Sequence, residues 1–261
     1  MTGRLEGKIA VVTGASSGIG RSAAERFAAE GAKVVGVGRS ESKLADLKKV
    51  IEKNGGTIVT VATDLSQDAG SAASIDTAIS TYGGLDILVN CAGVGYSYRE
   101  VRPNSMLAID ESSVEEWSHV MAINLDSVVN CTRRAIPEIR KRGGGAIVNV
   151  SSVLGIVGNP DAHAYTTAKG AIINLTRSLA TAYAKDNIRS NVVCPGYIET
   201  PMVEEYIDYL NGEDYRFQWN PSGRMGKPEE IANGILFLAS DEATYCNGSV
   251  MVIDGGMTCS P

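Results

Sequence analysis

Apolar residues recur along this chain in short β-rich runs, separated by longer stretches with helical spacing. The runs are Ile9-Val12, Val34-Val37, Ile58-Ala62, Ile87-Asn90, Ala146-Val150, Asn191-Cys194 and Val250-Ile253. Segments near 19–30, 41–54, 69–82, 112–141, 164–184 and 228–240 lie between them and read as helices. Strands that are almost continuously apolar are buried on both faces, which is the signature of a parallel sheet sandwiched between helices. The pattern therefore predicts an α/β fold with a central, mostly parallel seven-stranded sheet. No Pro/Ser-rich linker, repeat or low-complexity tract divides the chain, so 1–261 reads as one doubly wound domain. Two irregular stretches, 94–111 and 200–223, exceed ordinary loop lengths and are candidates for functional loops.

Composition narrows the class. Hydrophobic residues make up 44% and charged residues 21% of the 261, as in a globular protein with a substantial core. A net charge of −6 argues against a nucleic-acid partner. No apolar run is long enough to span a bilayer, and the N-terminus lacks the features of a signal peptide. Cys91, Cys131, Cys194, Cys246 and Cys259 are odd in number and widely spaced, which predicts reduced thiols in a cytoplasmic protein. No grouping of His, Cys and carboxylates predicts a metal.

Chemistry enters at three places. Tyr165 and Lys169 are four residues apart in a helical segment, so they stack on one face about 5–6 Å apart. A cation beside a phenol favours the phenolate and predicts a lowered tyrosine pKa. The first strand runs into Thr13-Gly14-Ala15-Ser16-Ser17-Gly18-Ile19-Gly20, a Gly-rich turn that opens a helix. Such a turn admits a pyrophosphate, although its G-x-x-x-G-x-G spacing differs from the usual dinucleotide fingerprint. The second strand ends in Gly38-Arg39-Ser40. There is no carboxylate here for the ribose of NAD, and Arg39 offers a charged fork suited to the extra phosphate, so NADP(H) is favoured over NAD(H).

With TGASSGIG at 13–20, Asp64-Leu65, NCAG at 90–93, Asn124, VNVSS at 148–152, Tyr165-x-x-x-Lys169 and Pro195-Gly196 in this order, the chain resembles the short-chain dehydrogenase/reductase family over roughly residues 5–256. The resemblance implies a Rossmann-type fold and a hydride transfer between a nicotinamide and an alcohol/ketone pair. It implies Tyr165 as the general acid/base, Lys169 as its pKa tuner, Ser152 as the substrate-orienting hydroxyl and Asn124 as the holder of a proton relay. It further implies a cofactor set of Gly14, Ser16, Ser17, Gly18, Ile19, Gly20, Arg39, Ser40, Asp64, Leu65, Asn90, Ala92, Gly93, Tyr165, Lys169, Pro195, Gly196, Ile198 and Thr200. Ser151 is the poorer match for the serine. Cys91 departs from the family's second asparagine and reads as a packing substitute. A homotetramer is implied by the same resemblance.

The substrate is open at this level. Tyr96 and Tyr98, with Tyr206, Tyr209, Tyr215, Phe217 and Trp219, fall in the two irregular stretches, the second of which corresponds to the family's lid. Such a concentration points to a bulky, flat, apolar ligand such as a hydroxysteroid or bile acid, unless the rings pack the lid onto its own domain or a neighbouring subunit. A 3-oxoacyl group on an acidic carrier protein is the rival, since RRAIPEIRKR at 133–142 is basic. Glu204, Glu205, Asp208, Glu213 and Asp214 oppose it. A sugar or polyol is third. A non-catalytic NADP-binding sensor is the alternative from another class, and retention of Ser152, Tyr165 and Lys169 weighs against it. His163 reads as a loop or pocket-lining residue and His119 as a surface residue of a helix.

Overall fold

The computed structural model describes residues 3–212 and 219–259. Seven strands, β1 (Ile9–Thr13), β2 (Lys33–Gly38), β3 (Thr57–Ala62), β4 (Ile87–Asn90), β5 (Gly145–Val150), β6 (Ile188–Pro195) and β7 (Val250–Ile253), form one sheet in the order β3-β2-β1-β4-β5-β6-β7. Every pairing is parallel, with Val11 opposite Val35 on one side and Leu88 on the other. β1 and β4 are buried along their whole length, whereas the edge strands β3 and β7 are only partly covered.

Helices α1 (Gly18–Ala29), α2 (Glu41–Lys53), α3 (Asp68–Tyr82), α4 (Val114–Met121), α5 (Ser127–Lys141), α6 (His163–Tyr183), α7 (Ile207–Asn211) and α8 (Pro228–Ala239) complete the regular structure. On one face Phe27 from α1, Leu44 and Leu47 from α2, and Ile235 and Leu236 from α8 pack on the sheet. On the other, Ile75 and Ala78 from α3 and Cys131, Ile136 and Ile139 from α5 do the same. The chain turns outward in opposite directions from β1 and β4, so a crevice opens at their C-terminal ends, where doubly wound sheets take ligands. None of the described helices is long and apolar enough to cross a membrane.

Two departures from the hydrophobic pattern have physical causes. β6 begins at Ile188, earlier than its apolar core, because polar residues there have dedicated partners. Arg189 donates to the carbonyls of Leu238 (2.7 Å) and Ser240 (3.0 Å), closing the end of α8. The segment 112–141 is helical from Val114 to Lys141 but not uniformly α-helical. A π-helical stretch, Ala122–Asp126, lies between α4 and α5, and Asn124 sits inside it. Apolar spacing alone does not register one widened turn, and such turns are frequent at functional sites.

The end of the sheet away from the crevice is closed by Asp86. Its carboxylate accepts from the Ile9 amide (2.8 Å) and from Nε of Arg142 (3.0 Å), joining the start of β1 to the end of α5. Asp86→Ala leaves the buried Ile9 amide without an acceptor, a loss of about 1–3 kcal/mol. Urea unfolding is expected to show that loss with an unchanged slope.

Candidate active site

The turn after β1 is built by contacts that only glycine permits. Gly14 and Gly18 have φ of +70° and +54°. A methyl group on Gly14 would lie 3.0 Å from the Ala92 backbone, and one on Gly20 would strike the Gly14 carbonyl. Thr13 fixes the neighbouring loop by accepting from the amides of Cys91 (2.9 Å) and Ala92 (3.0 Å). Ser17 occupies the N-cap of α1, yet its side chain makes no capping hydrogen bond. The first amides of α1 are thus left for a ligand, and the helix dipole favours an anion there.

Most residues of the expected set line one cleft. Gly14, Ser16, Ser17, Gly18, Ile19, Gly20 and Arg39 do so from the first half of the sheet, together with Asp64, Leu65, Ala92 and Gly93. Ser152, Tyr165, Lys169, Pro195, Gly196, Ile198 and Thr200 line it from the second half. Three residues do not. Ser40 caps α2, accepting from the Lys43 amide at 3.4 Å. Asn90 is buried, donating to Thr132 (3.1 Å) and Asn149 (2.9 Å), and so ties β4 to α5 and β5. Asn124 is also wholly buried, immediately behind the wall. Arg39 is exposed at the cleft and makes no ion pair among the described residues.

At the centre of the cleft α6 presents Tyr165 and Lys169, both nearly enclosed at 8% and 5% exposure. Lys169 Nζ donates to the Val150 carbonyl at 3.1 Å and stands 5.6 Å from the Tyr165 ring centroid. Ser152 accepts from the Leu154 amide at 3.1 Å and shares a hydrogen bond with the Tyr165 phenol. Ser151 points elsewhere, donating to the Lys169 carbonyl at 2.7 Å and pinning α6 to the end of β5. Asn124 accepts from the Val94 amide (3.1 Å) and donates to the Val120 carbonyl (3.1 Å), which holds the widened turn open. A methyl group on Gly93 would lie 2.8 Å from Asn124 Oδ1 and 3.4 Å from Lys169 Nζ, so glycine is required between them.

The electrostatics correct one expectation. Burial pushes the Tyr165 phenol up to about 12, against a smaller downward pull from the Ser152 hydrogen bond. The neighbouring Lys169 does not offset this rise, and it is itself desolvated. Burial brings Lys169 down to about 8, with Cys91 and Cys194 acting weakly in the other direction. Desolvation raises those thiols as well, to about 12 for the half-buried Cys91 and about 11 for the buried Cys194.

Several other side chains are not where sequence reasoning put them. His163 starts α6 and accepts from the Ile109 amide at 2.9 Å without lining the cleft. His119 is half-buried, 2.8 Å from the Tyr98 hydroxyl, with the two rings stacked. All five cations of the basic run are engaged. Arg133 and Arg134 pair with Asp68, Arg140 with Asp186, Lys141 with Glu138 and Arg142 with Asp86. Of the seven loop aromatics only Tyr96 lines the cleft among those described. Trp219 packs edge-on against Tyr197 at 5.1 Å, and Tyr209 is exposed. Tyr215 and Phe217, with Glu213 and Asp214, fall outside the described residues, and the side chains of Glu205 and Tyr206 are likewise not described. Tyr197 was missed, although it directly follows Pro195-Gly196 and lines the same cleft.

An elongated anionic dinucleotide fits this donor set: uncapped helix amides at one end, a cation-bearing shelf at Arg39, and a buried phenol and ammonium at the other. Comparison with known proteins points the same way. A family model described as enoyl-(acyl carrier protein) reductase matches residues 14–258. A 3-oxoacyl-(acyl carrier protein) reductase of Thermotoga maritima is 39% identical over 97% of this chain and 99% of its own. An NADP-dependent (R)-specific alcohol dehydrogenase of Lentilactobacillus kefiri is also 39% identical, over 99% of each. The L-sorbose reductase of Gluconobacter frateurii, solved with NADPH and L-sorbose, superposes with a TM-score of 0.90 at 35% identity over the full length of both chains.

Lys169 gives the free protein a distinctive pH dependence. Between about 8, its folded value, and its ordinary 10.5, the unfolded chain binds more protons than the folded one. Stability therefore carries a contribution of about 1–3 kcal/mol that rises with pH across this window. The stability of wild type relative to Lys169→Met, measured by unfolding from pH 7 to 10.5, is expected to rise across this window, since the raised thiols act alike in both; parallel curves would contradict the burial of the cation.

Proposed function

The chain belongs to the short-chain dehydrogenase/reductase family and is an oxidoreductase acting on CH–OH groups; from this premise we propose that it interconverts a secondary alcohol and its ketone with NADP(H). The observation that carries the reading is the enclosed convergence of Tyr165, Ser152 and Lys169 at one end of a cleft whose other end is a glycine turn on a helix N-terminus. When bound, the nicotinamide supplies or accepts the hydride. Gly14, Gly18, Ile19 and Gly20 hold the pyrophosphate; Asp64, Leu65, Ala92 and Gly93 flank the adenosine half. Pro195, Gly196, Ile198 and Thr200 form the wall for the nicotinamide.

Tyr165 gives its phenolic proton to the substrate oxygen in reduction and takes it back in oxidation. Ser152, which accepts from the Leu154 amide, turns its one hydrogen to the substrate oxygen, where charge develops. Lys169 replaces the proton on Tyr165, and Asn124, across the gap kept by Gly93, continues the relay. A lysine brought down to about 8 exchanges protons near neutral pH, which suits that task better than an ordinary ammonium.

Arg39 is the reason for NADP(H): it is an unpaired guanidinium on the shelf that a 2′-phosphate would occupy, beside a Gly38 that offers no carboxylate. The whole chain acts as one catalytic domain, with 200–223 as its lid, and assembles as a homotetramer. For the substrate, Val94, Val153, Leu154, Met202 and Val203 favour a ketone with an apolar flank. A hydroxysteroid is the large extreme of that class, but the aromatic count no longer singles it out, because Tyr98 and Trp219 are occupied with their own domain. A carrier-borne 3-oxoacyl group is disfavoured by the ion pairs that engage the basic run.

Three measurements test this reading. A panel of apolar ketones, 3-oxoacyl thioesters and sugars with NADPH and NADH is expected to give turnover first with apolar ketones and NADPH. Tyr165→Phe is expected to cut turnover by at least about a hundredfold while NADPH still binds; undiminished turnover would remove the tyrosine from its role. Arg39→Ala should weaken NADPH by about 10–100-fold and leave NADH within about threefold, and equal losses would refute the phosphate assignment.

A further inference from the structure

The start of α6 departs from an ordinary helix entry. Its N-cap, Ala162, is fully buried and lies in the left-handed region, with φ of +53° and ψ of +36°. Extended backbone is usual at an N-cap, and a Cβ makes the left-handed region costly. Among the described residues, Asn187 is the other non-glycine with positive φ, and asparagine tolerates it. Alanine also brings no side-chain acceptor for the first amides of the helix. Main chain from the excursion after β4 stands in for it. The Ala162 amide donates to the Met106 carbonyl (3.2 Å) and the His163 amide to the Leu107 carbonyl (3.4 Å). The Ile109 amide in turn donates to His163 Nδ1 (2.9 Å). Side chains close the same junction. Arg99 Nη2 reaches both the Met106 carbonyl (2.7 Å) and Asp161 Oδ2 (2.9 Å). Asp161 Oδ1 accepts from the Tyr96 hydroxyl (2.7 Å) and from Asn159 Nδ2 (2.7 Å).

A costly backbone state persists where its surroundings over-determine it, and Ala162 stands three residues before Tyr165. The segment that holds it also carries part of the cleft wall, since Val94, Gly95 and Tyr96 line the cleft just ahead of Arg99. We propose that Arg99 and Asp161 are a positioning pair, which keeps Ala162 left-handed and thereby sets the Tyr165 phenol against that wall. Neither lines the cleft, and both act through the first turn of α6. Without the pair, Ala162 relaxes towards the extended region, and the first turn of α6 carries the phenol away from Ser152. Proton transfer is sensitive to such a displacement, because donor and acceptor must meet within hydrogen-bond reach. The inference rests on Tyr165 as the general acid of the alcohol/ketone reading above, and adds what aims that acid.

The assay is NADPH-dependent reduction of whichever carbonyl compound in the panel above wild type turns over fastest. Arg99→Met is expected to lower kcat about tenfold, with the Kd for NADPH within about twofold, and to raise the solvent deuterium isotope effect on kcat as proton transfer slows. Asp161→Asn keeps the shape of the carboxylate without its charge and should lower kcat by about threefold. Adding Ala162→Gly to Arg99→Met should return kcat to within about threefold of wild type, because glycine enters the left-handed region at little cost. A mere loss of packing would not be rescued by removing one more buried methyl group. If wild type reduces nothing in the panel, the functional reading falls and this inference with it. If wild type is active and Arg99→Met keeps its kcat, only this inference is overturned. A loss in Arg99→Met that Ala162→Gly does not restore overturns it as well. Should Arg99→Met fail to bind NADPH, Asp161→Asn with and without Ala162→Gly decides by the same criteria.

Discussion

A buried ammonium is the constraint around which this site is arranged. Lys169 is enclosed, and charge in an enclosed place is costly unless polar atoms converge on it. The Val150 carbonyl at the end of β5 supplies one acceptor, which requires α6 to lie close along the sheet. Ser151 secures that approach by bonding the Lys169 carbonyl, so adjacent serines have separate duties: one fixes the helix and the next faces the chemistry. Gly93 leaves the space on the opposite side, and Asn124 closes it from a helix that had to widen by a turn to bring an amide there. The residual strain of the arrangement shows in the cation's lowered proton affinity. That same lowering makes the group useful for exchanging protons near neutrality.

Much of the fold was legible because strands buried on both faces leave continuous apolar runs. All seven runs correspond to strands, and β4 matches residue for residue. What was not legible depended on partners distant in sequence. The early start of β6 relies on Arg189 reaching the end of α8, about fifty residues away. The π-helical stretch at Asn124 depends on the Val94 amide, thirty residues earlier, and helical periodicity carries no trace of it.

The candidate site divides in the same way. Its glycine turn, its serine and its tyrosine–lysine pair are local motifs, and the structure brings nearly all of them to one cleft. The electrostatics were not local. An ammonium four residues from a phenol depresses its pKa in water, but here both groups are desolvated, and burial is the largest influence on each. The basic run is partly offset for a related reason. Arg133 and Arg134 share Asp68, from a helix some 65 residues earlier, and the five cations of the run meet four carboxylates, so most of the charge counted in the sequence is paired within the fold.

The two halves of the cleft are held by different kinds of contact, and this bears on how the chemistry is shared among relatives that differ in substrate. The cofactor half is fixed by backbone: Gly14 against Ala92, Gly20 against Gly14, Gly196 against Asp254. A side chain at any of these positions collides with main chain, which has nowhere to go. The substrate half is fixed by side chains on three loops, such as Tyr96 with Asp161, Tyr197 with Trp219, and Gly95 beneath Met202. Those contacts can be exchanged one at a time without disturbing the sheet. A carrier-protein reductase, an alcohol dehydrogenase and a sugar reductase therefore remain similar to this chain over nearly their whole length while the ligand facing the phenol changes. Reaction class is fixed by the rigid half, and substrate class has to be read from the loops, where Asp161 and Asn159 anchor the Tyr96 ring.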